Sequence, residues 1–196
     1  MGRRRRRRET PLTHTFVVAA VNSRDPAMAD YRCNGVADQV EINLAFAALG
    51  AAEGVVILLE GDFILAASIA FSANHQTLEG QGRSTRIDGT GLPAGAHPIV
   101  LSGFTDCSIL SLAIEGNGGG GDITYCIFIE NGADNFHVKD VTIIDSDSHG
   151  IRIAGTTINQ GHIHRLHVEL CDSAGIDVDM DAANVMRLPS AFWACV

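Results

Sequence analysis

The residues best suited to catalysis lie in one short segment of the second half of the chain. This segment reads Asp-Ser-Asp-Ser-His-Gly-Ile-Arg and contains Asp145, Asp147, His149 and Arg152. Glycosidases cleave with two carboxyl groups that flank the scissile bond, and an imidazole can transfer protons in the same site. Asp and Ser also shape turns, because their side chains form hydrogen bonds with the nearby backbone. We favour the turn and keep these four residues as the catalytic candidates.

Several aspartates near the C-terminal end form a second candidate site. Carboxylate oxygens are the ligands that Ca²⁺ prefers, so calcium is the candidate cofactor. Its candidate ligands are Asp172, Asp177 and Asp179, followed by Asp181. Asp177 and Asp179 also alternate with apolar residues, as on a strand with one solvated face. We favour the solvated face, and the sequence indicates no other cofactor.

Histidines are concentrated in the same part of the chain, at positions 137, 162, 164 and 167. A pair of imidazoles can bind a transition metal, but no carboxylate or cysteine completes a known ligand spacing here. A surface patch that titrates with pH is favoured over a metal site, and a plain exposed face is favoured over both. The five cysteines contain no C-x-x-C pair, so a zinc site of that kind is not expected.

Short apolar segments separated by Gly, Asn and Asp must position these residues, and they recur at a nearly constant interval. Ile127, Ile151 and Ile176 are spaced by 24 and 25 residues. A second motif, Ile/Val-x-x-Leu/Val-x-Ile/Val, begins at Ile109, Val138 and Ile163, and its longer first interval contains the Gly118–Gly121 run. Upstream, a spacing of 22 relates Val56, Leu78 and Val100. A period of this length with several strands per period predicts a solenoid.

Parallel stacking of these repeats makes specific predictions about neighbours. Aligned residues of successive turns should lie about 4.8 Å apart, because that is the spacing of hydrogen-bonded strands. The sequence therefore predicts an inward column that contains Ile127, Ile151 and Ile176. It also predicts an outward column that contains Phe128, Arg152 and Asp177, with Arg152 and Asp177 as neighbours on adjacent strands.

One helix is predicted over residues 38–49. Asp38 is a good N-cap with Glu41 in a capping-box position, and Gly50 ends the helix. The apolar stripe is predicted on Val40 and Leu44, continued by Ala47 and Ala48 and widened by Ile42, Phe46 and Leu49. The expected organisation is a disordered Arg-rich tail (1–14), an N-terminal strand with the capping helix (15–53), β-helix turns (54–182) and an irregular C-terminal tail or truncation (183–196).

Residues 29–43, Ala-Asp-Tyr-Arg-Cys-Asn-Gly-Val-Ala-Asp-Gln-Val-Glu-Ile-Asn, resemble the N-terminal cap of the pectate-lyase-like β-helix superfamily, the pectin lyase fold. Residues 55–63 resemble its first strand and turn, and residues 77–87 resemble a later turn. The resemblance extends over residues 15–181. It implies an all-β, right-handed single-stranded parallel β-helix with an N-terminal capping α-helix. Such domains are longer, so the chain would be the N-terminal portion of one.

The resemblance leaves enzyme activity open, since the superfamily contains lyases, hydrolases, phage tailspikes and surface proteins. Polygalacturonases combine Asp clusters with His and an Arg that binds uronate, but none of their characteristic segments is intact here. The sequence therefore predicts a catalytically incomplete, polysaccharide-contacting module of a surface, secreted or phage-tail protein. The alternative is a polysaccharide lyase or glycoside hydrolase that acts on acidic glycans. The expected location is extracellular, the cell surface or the virion, although no signal peptide is visible.

Charge restricts the partners of the folded body. Arg3 to Arg8 supply six of the 14 basic residues, so the rest of the chain contains eight basic and 23 acidic residues. Such a body should repel nucleic acid. The Arg run is either a simple tail or an arm for polyanion binding or nuclear targeting. No apolar run is long enough for a membrane span. Homo-oligomerisation is left open.

Overall fold

The chain is built mainly of short parallel strands. The computed structural model describes residues 14–116, 125–155 and 157–180. The helices are a short 3-10 helix (Pro26–Met28) and α1 (Gln39–Leu49). The strands are β1 (His14–Ala19), β2 (Tyr31–Arg32), β3 (Gly54–Leu58), β4 (Gly61–Ile64), β5 (Ile69–Ala70), β6 (Gln76–Asp88), β7 (Ile99–Ser102), β8 (Ser108–Glu115), β9 (Tyr125–Glu130), β10 (Phe136–Ser146), β11 (His149–Gly155), β12 (Gly161–His164), β13 (His167–Cys171) and β14 (Ile176–Met180). Outside the described residues lie the Gly118–Gly121 insertion, Asp181, residues 1–13 of the predicted tail and the 183–196 tail.

These strands form a parallel β-solenoid of about five turns. Sheet A has the order β12-β10-β8-β6-β3-β1-β2, with β13 also beside β10 and β4 beside β6. Sheet B has the order β14-β11-β9-β7-β5. Every pairing among the described strands is parallel. Because successive turns of the chain are neighbours in both sheets, the prediction of a mostly β solenoid is confirmed.

One corner of the coil is marked by residues in the left-handed backbone region. Ser111, Asp140 and Arg165 have φ values of 53°, 57° and 50° and occupy the same place in successive turns. This conformation is costly for most L-residues and least so for Asn and Asp. It divides β10 into a first part that pairs with β12 and a second part that pairs with β13. Each complete turn therefore has three straight faces, two in sheet A and one in sheet B.

The strand register confirms both predicted columns. Ile151 pairs with Ile127 on one side and with Ile176 on the other. Ile127 and Ile151 are fully buried, and they belong to one continuous core of Ile, Leu, Val and Phe side chains. Burying each such side chain is worth about 1.5–3 kcal/mol. The outward column contains, as predicted, Phe128, Arg152 and Asp177.

One predicted alignment is wrong. Val56, Leu78 and Val100 are evenly spaced in sequence, but only Val56 and Leu78 pair. Leu78 pairs on its other side with Ile109, whereas Val100 lies in sheet B. The turn that follows Leu78 is lengthened, because β6 contains two register shifts and residues 89–98 then connect it to β7. Equal spacing therefore placed Val100 in the wrong sheet.

The predicted helix is confirmed, but its buried face differs from the predicted stripe. Ile42, Phe46 and Leu49 are buried, together with Ala45. Val40 and Leu44 are 49% and 52% exposed. The buried residues follow the i, i+3, i+4, i+7 pattern of a single helix face, so the true stripe starts at Ile42. Gly50 ends the helix with φ 61°, as expected for a C-cap glycine.

Asp38 joins α1 to the first turn of the solenoid. It precedes the helix, but its side chain makes no capping hydrogen bond. Its carboxylate accepts hydrogen bonds from the Gly35 N–H at 2.8 Å and the Ile64 N–H at 2.9 Å. Gln76 adds a second link, because its side-chain amide donates to the Phe46 carbonyl at 3.1 Å. The predicted capping box is therefore replaced by long-range contacts that fix the helix against the strands.

Candidate functional site: the outer face of sheet B

Sheet B presents two adjacent columns of outward side chains, which together we call the outer face of sheet B. The members of the first column each lie two residues before an isoleucine of the inward column, and they are His97, Tyr125 and His149. The second column contains Val100, Phe128, Arg152 and Asp177. Alternation directs the second column away from the core. In the first column, two consecutive buried residues (98–99, 126–127 and 150–151) interrupt the alternation, so that His97, Tyr125 and His149 are also partly exposed.

Aromatic rings cover the middle of this face. Tyr125 stacks on His97 with ring centroids 4.9 Å apart, and on His149 with centroids 5.6 Å apart. Phe128 lies 5.4 Å from Tyr125 and 4.9 Å from His97, both in tilted arrangements. The Arg152 guanidinium lies 5.3 Å from the Tyr125 ring centroid, within the range of a cation–π contact. Contacts of this kind hold the rings in fixed positions relative to one another.

Arg152 connects the aromatic rings to a pair of carboxylates. Its guanidinium donates to the Asp177 carboxylate at 2.5 Å and to the Asp179 carboxylate at 2.9 Å. These contacts confirm the predicted pairing of Arg152 with Asp177. Two carboxylates around one guanidinium leave the group with a net negative charge. The Arg152 charge is therefore already engaged within the protein.

His149 has a defined orientation beside this group. Its Nδ1 accepts a hydrogen bond from the Ala174 N–H at 3.3 Å. In the neutral ring the proton is then on Nε2, which lies 3.7 Å from the Asp177 carboxylate. The ring is thus held between Tyr125, Ala174 and Asp177. The structure brings His149 and Arg152, two of the four catalytic candidates, to the same carboxylate.

The other two catalytic candidates lie around the turn before β11. Asp145, near the end of β10, has φ 58°, a conformation that suits an aspartate in a turn. Asp147 lies between β10 and β11. Burial, with smaller contributions from the charges of Asp145 and Asp147, raises the pKa of the Cys126 thiol to about 12. The catalytic role of all four residues stays a prediction.

The three candidate calcium ligands have different surroundings. Asp177 and Asp179 both accept hydrogen bonds from Arg152, so a cation would compete with the guanidinium for them. Asp172 lies in the turn after β13, where its N–H donates to the Ser146 carbonyl at 3.1 Å. Calcium binding stays a prediction, with Arg152 as the competitor for two of its ligands.

His97 is the most deeply buried imidazole of the site. Its Nδ1 is buried and has no hydrogen-bond partner within the described part of the chain. Burial lowers the pKa of His97 below the ordinary value of 6.5. The ring is therefore neutral at pH 7 and acts as a flat, weakly polar surface beside Tyr125 and Phe128.

A different group of possible metal ligands lies next to α1. Cys33, Asp38 and Glu41 have potential ligand atoms within 4.8 Å of one another. The Asp38 carboxylate is already satisfied by two backbone N–H groups, as described above. Burial, followed by the charges of Asp38 and Glu41, raises the pKa of the Cys33 thiol far above its ordinary range. A thiol that keeps its proton is a poor metal ligand, so this group is structural.

The sequence-based list of site residues omitted His97, Tyr125 and Phe128 as functional groups. The sequence feature that could have revealed His97 and Tyr125 is their position, because each ring of the first column lies two residues before an isoleucine of the inward column. Extending the Ile127 to Ile151 alignment backwards by two residues pairs Tyr125 with His149. The residue types alone gave no reason to extend the alignment to these two positions.

Comparison with known proteins supports the fold only. No protein-family model matches this sequence, and the search of curated proteins also finds no match. Among solved structures the chain is similar to ORF18 of Geobacillus virus E2, with a TM-score of 0.51 and 13% sequence identity. The alignment covers 87% of this chain and 40% of that one, so this chain spans less than half the length of the viral protein.

None of the helices in the described ranges is long and apolar enough to cross a membrane.

Proposed function

We propose that this chain is a module of a phage or surface protein that contacts polysaccharide through the outer face of sheet B without cleaving it. The observation that carries the proposal is the stack of Tyr125 between His97 and His149, with Phe128 beside it. Flat rings with a polar edge are suited to the apolar faces of sugar rings, and polar groups at the border of the site fix their orientation.

The column spacing also suits a chain-like ligand. Each turn of the solenoid repeats the same outward positions about 4.8 Å further along the axis. The face therefore offers a row of side chains along the axis rather than one closed pocket. A polymer with repeating units can contact such a row at several places.

The charges of the face disfavour both the binding and the cleavage of an acidic glycan. Arg152 is held by Asp177 and Asp179, and the group is negative as a whole. An acidic sugar would have to displace these carboxylates or bring a bridging cation. This argues for a neutral or weakly charged glycan and for a catalytically incomplete site.

The proposed setting is extracellular, on a cell surface or a virion. Its support is the likeness of the fold to ORF18 of Geobacillus virus E2. We further propose that the coil is right-handed and pectate-lyase-like, and that α1 caps its N-terminal end. The cap is supported by the buried Ile42 and Phe46 and by the bond from the Gln76 amide to the Phe46 carbonyl.

Binding to a panel of neutral and uronate-containing polysaccharides tests the proposal, measured by affinity electrophoresis. Tyr125→Ala should weaken binding roughly tenfold, since a stacked aromatic contributes about 0.5–1.5 kcal/mol beyond its burial. Tyr31→Ala is the matched control, because Tyr31 contacts Phe16 on β1, in sheet A. Absence of binding across the panel, or equal losses in the two variants, would contradict the proposal.

The alternative function is a lyase or hydrolase that acts on acidic glycans. One observation favours it, since His149, Arg152 and Asp177 bring an imidazole, a cation and a carboxylate together. A lyase needs a base for the proton next to the uronate carboxylate and a positive group for the developing charge. To serve in this way, Arg152 would have to leave Asp177.

Incubation with polygalacturonate, with and without Ca²⁺, separates the two functions. New reducing ends report hydrolysis, and unsaturated product reports elimination. We expect no turnover above background. Turnover that disappears in Asp147→Asn or Arg152→Ala would establish the alternative and refute the non-cleaving module.

A further inference from the structure

Three imidazoles share the outward side of the last turns of sheet A, on different strands from the proposed glycan site. His137 on β10 pairs with His162 on β12, and their rings stack with centroids 4.9 Å apart and planes at 26°. His164 lies two residues after His162 on β12, and therefore on the same side of the sheet. We call these residues the histidine cluster. His137 and His164 are exposed, and His162 is half-buried.

The ring nitrogens of the cluster are available to a ligand. Among the described residues, no hydrogen bond or ion pair engages His137, His162 or His164. Burial, followed by the charges of His162 and His164, lowers the pKa of His137. A neutral imidazole carries the lone pair that a metal ion requires.

We propose that the histidine cluster binds a divalent transition-metal ion such as Zn²⁺, with His137 and His162 as the principal ligands. Metal–nitrogen distances of roughly 2.0–2.1 Å in a tetrahedral site place two ligand nitrogens about 3.3 Å apart. The stacked rings lie 4.9 Å apart, so the outer tips must tilt together by about 1–2 Å. The exposed His137 ring can make most of this movement towards the half-buried His162 ring without changing the backbone, and water completes the coordination.

Neighbouring charges define the rest of the site. The Asp106 carboxylate acts on His137 from the adjacent turn, and it also lies 3.5 Å from the His75 ring. Its charge favours a cation near His137. Lys139 pairs in register with His164, so its ammonium opposes a cation there. His164 is accordingly the weaker, third ligand.

Metal binding at this place would join consecutive turns. His137 belongs to one turn and His162 to the next, so one ion bound to both closes a link across the β10–β12 pairing. An ion that binds only the native state raises its stability in proportion to the logarithm of the ion concentration. The ion should therefore raise the melting temperature as well as bind.

The test is isothermal titration of the untagged full chain with Zn²⁺, with the melting temperature measured in parallel. A single class of site is expected. His137→Gln and His162→Gln should each weaken binding about tenfold or more. His14→Gln is the matched control, because His14 is also an exposed histidine of sheet A, at its other end. Lys139→Gln should strengthen binding, since it removes the opposing charge.

Carboxylate binding must be distinguished from imidazole binding. Ca²⁺ prefers oxygen ligands, so an excess of Ca²⁺ should leave the Zn²⁺ isotherm unchanged if imidazoles hold the ion. Four results would overturn the proposal: no Zn²⁺ binding, displacement by Ca²⁺, equal losses in His14→Gln and His162→Gln, or full affinity in a folded His162→Gln chain. Circular dichroism establishes folding of each variant.

Discussion

Replacing Ile151 with Asp should remove a large part of the stability of the solenoid. Ile151 is fully buried between Ile127 and Ile176 in the inward column. Loss of the Ile side chain alone costs about 2–5 kcal/mol. An unpaired carboxylate adds a desolvation penalty of at least a few kcal/mol, unless it binds a proton. The expected loss, about 4 kcal/mol or more, compares with total stabilities of roughly 5–15 kcal/mol.

Urea unfolding followed by circular dichroism measures this effect, with Val55→Asp as the control. Val55 lies in an outward position beside Thr77 and is half-buried, so its replacement should cost about 1 kcal/mol. Burial should also raise the pKa of the carboxyl introduced by Ile151→Asp above its unfolded value. The Ile151→Asp deficit should then shrink as the pH falls towards the pKa of an ordinary aspartate. Equal unfolding midpoints for the two variants would refute the column assignment.

The fold makes three further predictions. Deleting residues 1–49 should expose the first apolar strand ends and cause aggregation, whereas deleting residues 1–10 should not, as light scattering would show. Gly161→Ala should destabilise the chain by about 1–3 kcal/mol, because its Cβ would lie 2.2 Å from the Phe136 ring, whereas Gly91→Ala should be nearly neutral. Because burial lowers the pKa of folded His97, the unfolded chain binds more protons just below pH 6.5, and the melting temperature should decrease as the pH falls below that value, with a shallower slope in His97→Gln.

Each of these predictions has a contradicting result. A soluble, monomeric chain without residues 1–49 would exclude the capping role of α1. Equal melting temperatures for Gly161→Ala and Gly91→Ala would contradict the close packing of β12 on β10. An unchanged pH slope in His97→Gln would show that the burial of this imidazole has no energetic consequence.

The internal repeat predicted the fold of the C-terminal half well, and the N-terminal half less well. Columns through Ile127 and Ile151 followed directly from the 24- and 25-residue spacing, because turns of equal length stack in register. The spacing of 22 misplaced Val100, since the irregular β6 makes that turn longer. The buried face of α1 was predicted on the wrong side, around Val40. A short helix with many apolar residues has several faces that could be buried.

The candidate site could be predicted only in part. The pairing of Arg152 with Asp177 followed from the repeat, yet the two residues were assigned to different sites, one catalytic and one metal-binding. Only the strand register and the side-chain contacts show that Arg152 and Asp177 belong to one ion-paired cluster. Tyr125 and His97 were missed because no sequence motif marks an aromatic residue that stacks across turns of a solenoid. Such a contact depends on alignment over 24 to 28 residues.

The central claim is that the outer face of sheet B contacts polysaccharide. Its most direct test is a heteronuclear NMR titration of the labelled chain with an oligosaccharide from the strongest-binding polysaccharide of the panel. Chemical-shift changes should concentrate at Tyr125, Phe128, His149 and Arg152, with little change at the distant Tyr31. Changes concentrated on sheet A, or around α1, would contradict the claim, because the glycan would then bind elsewhere on the solenoid.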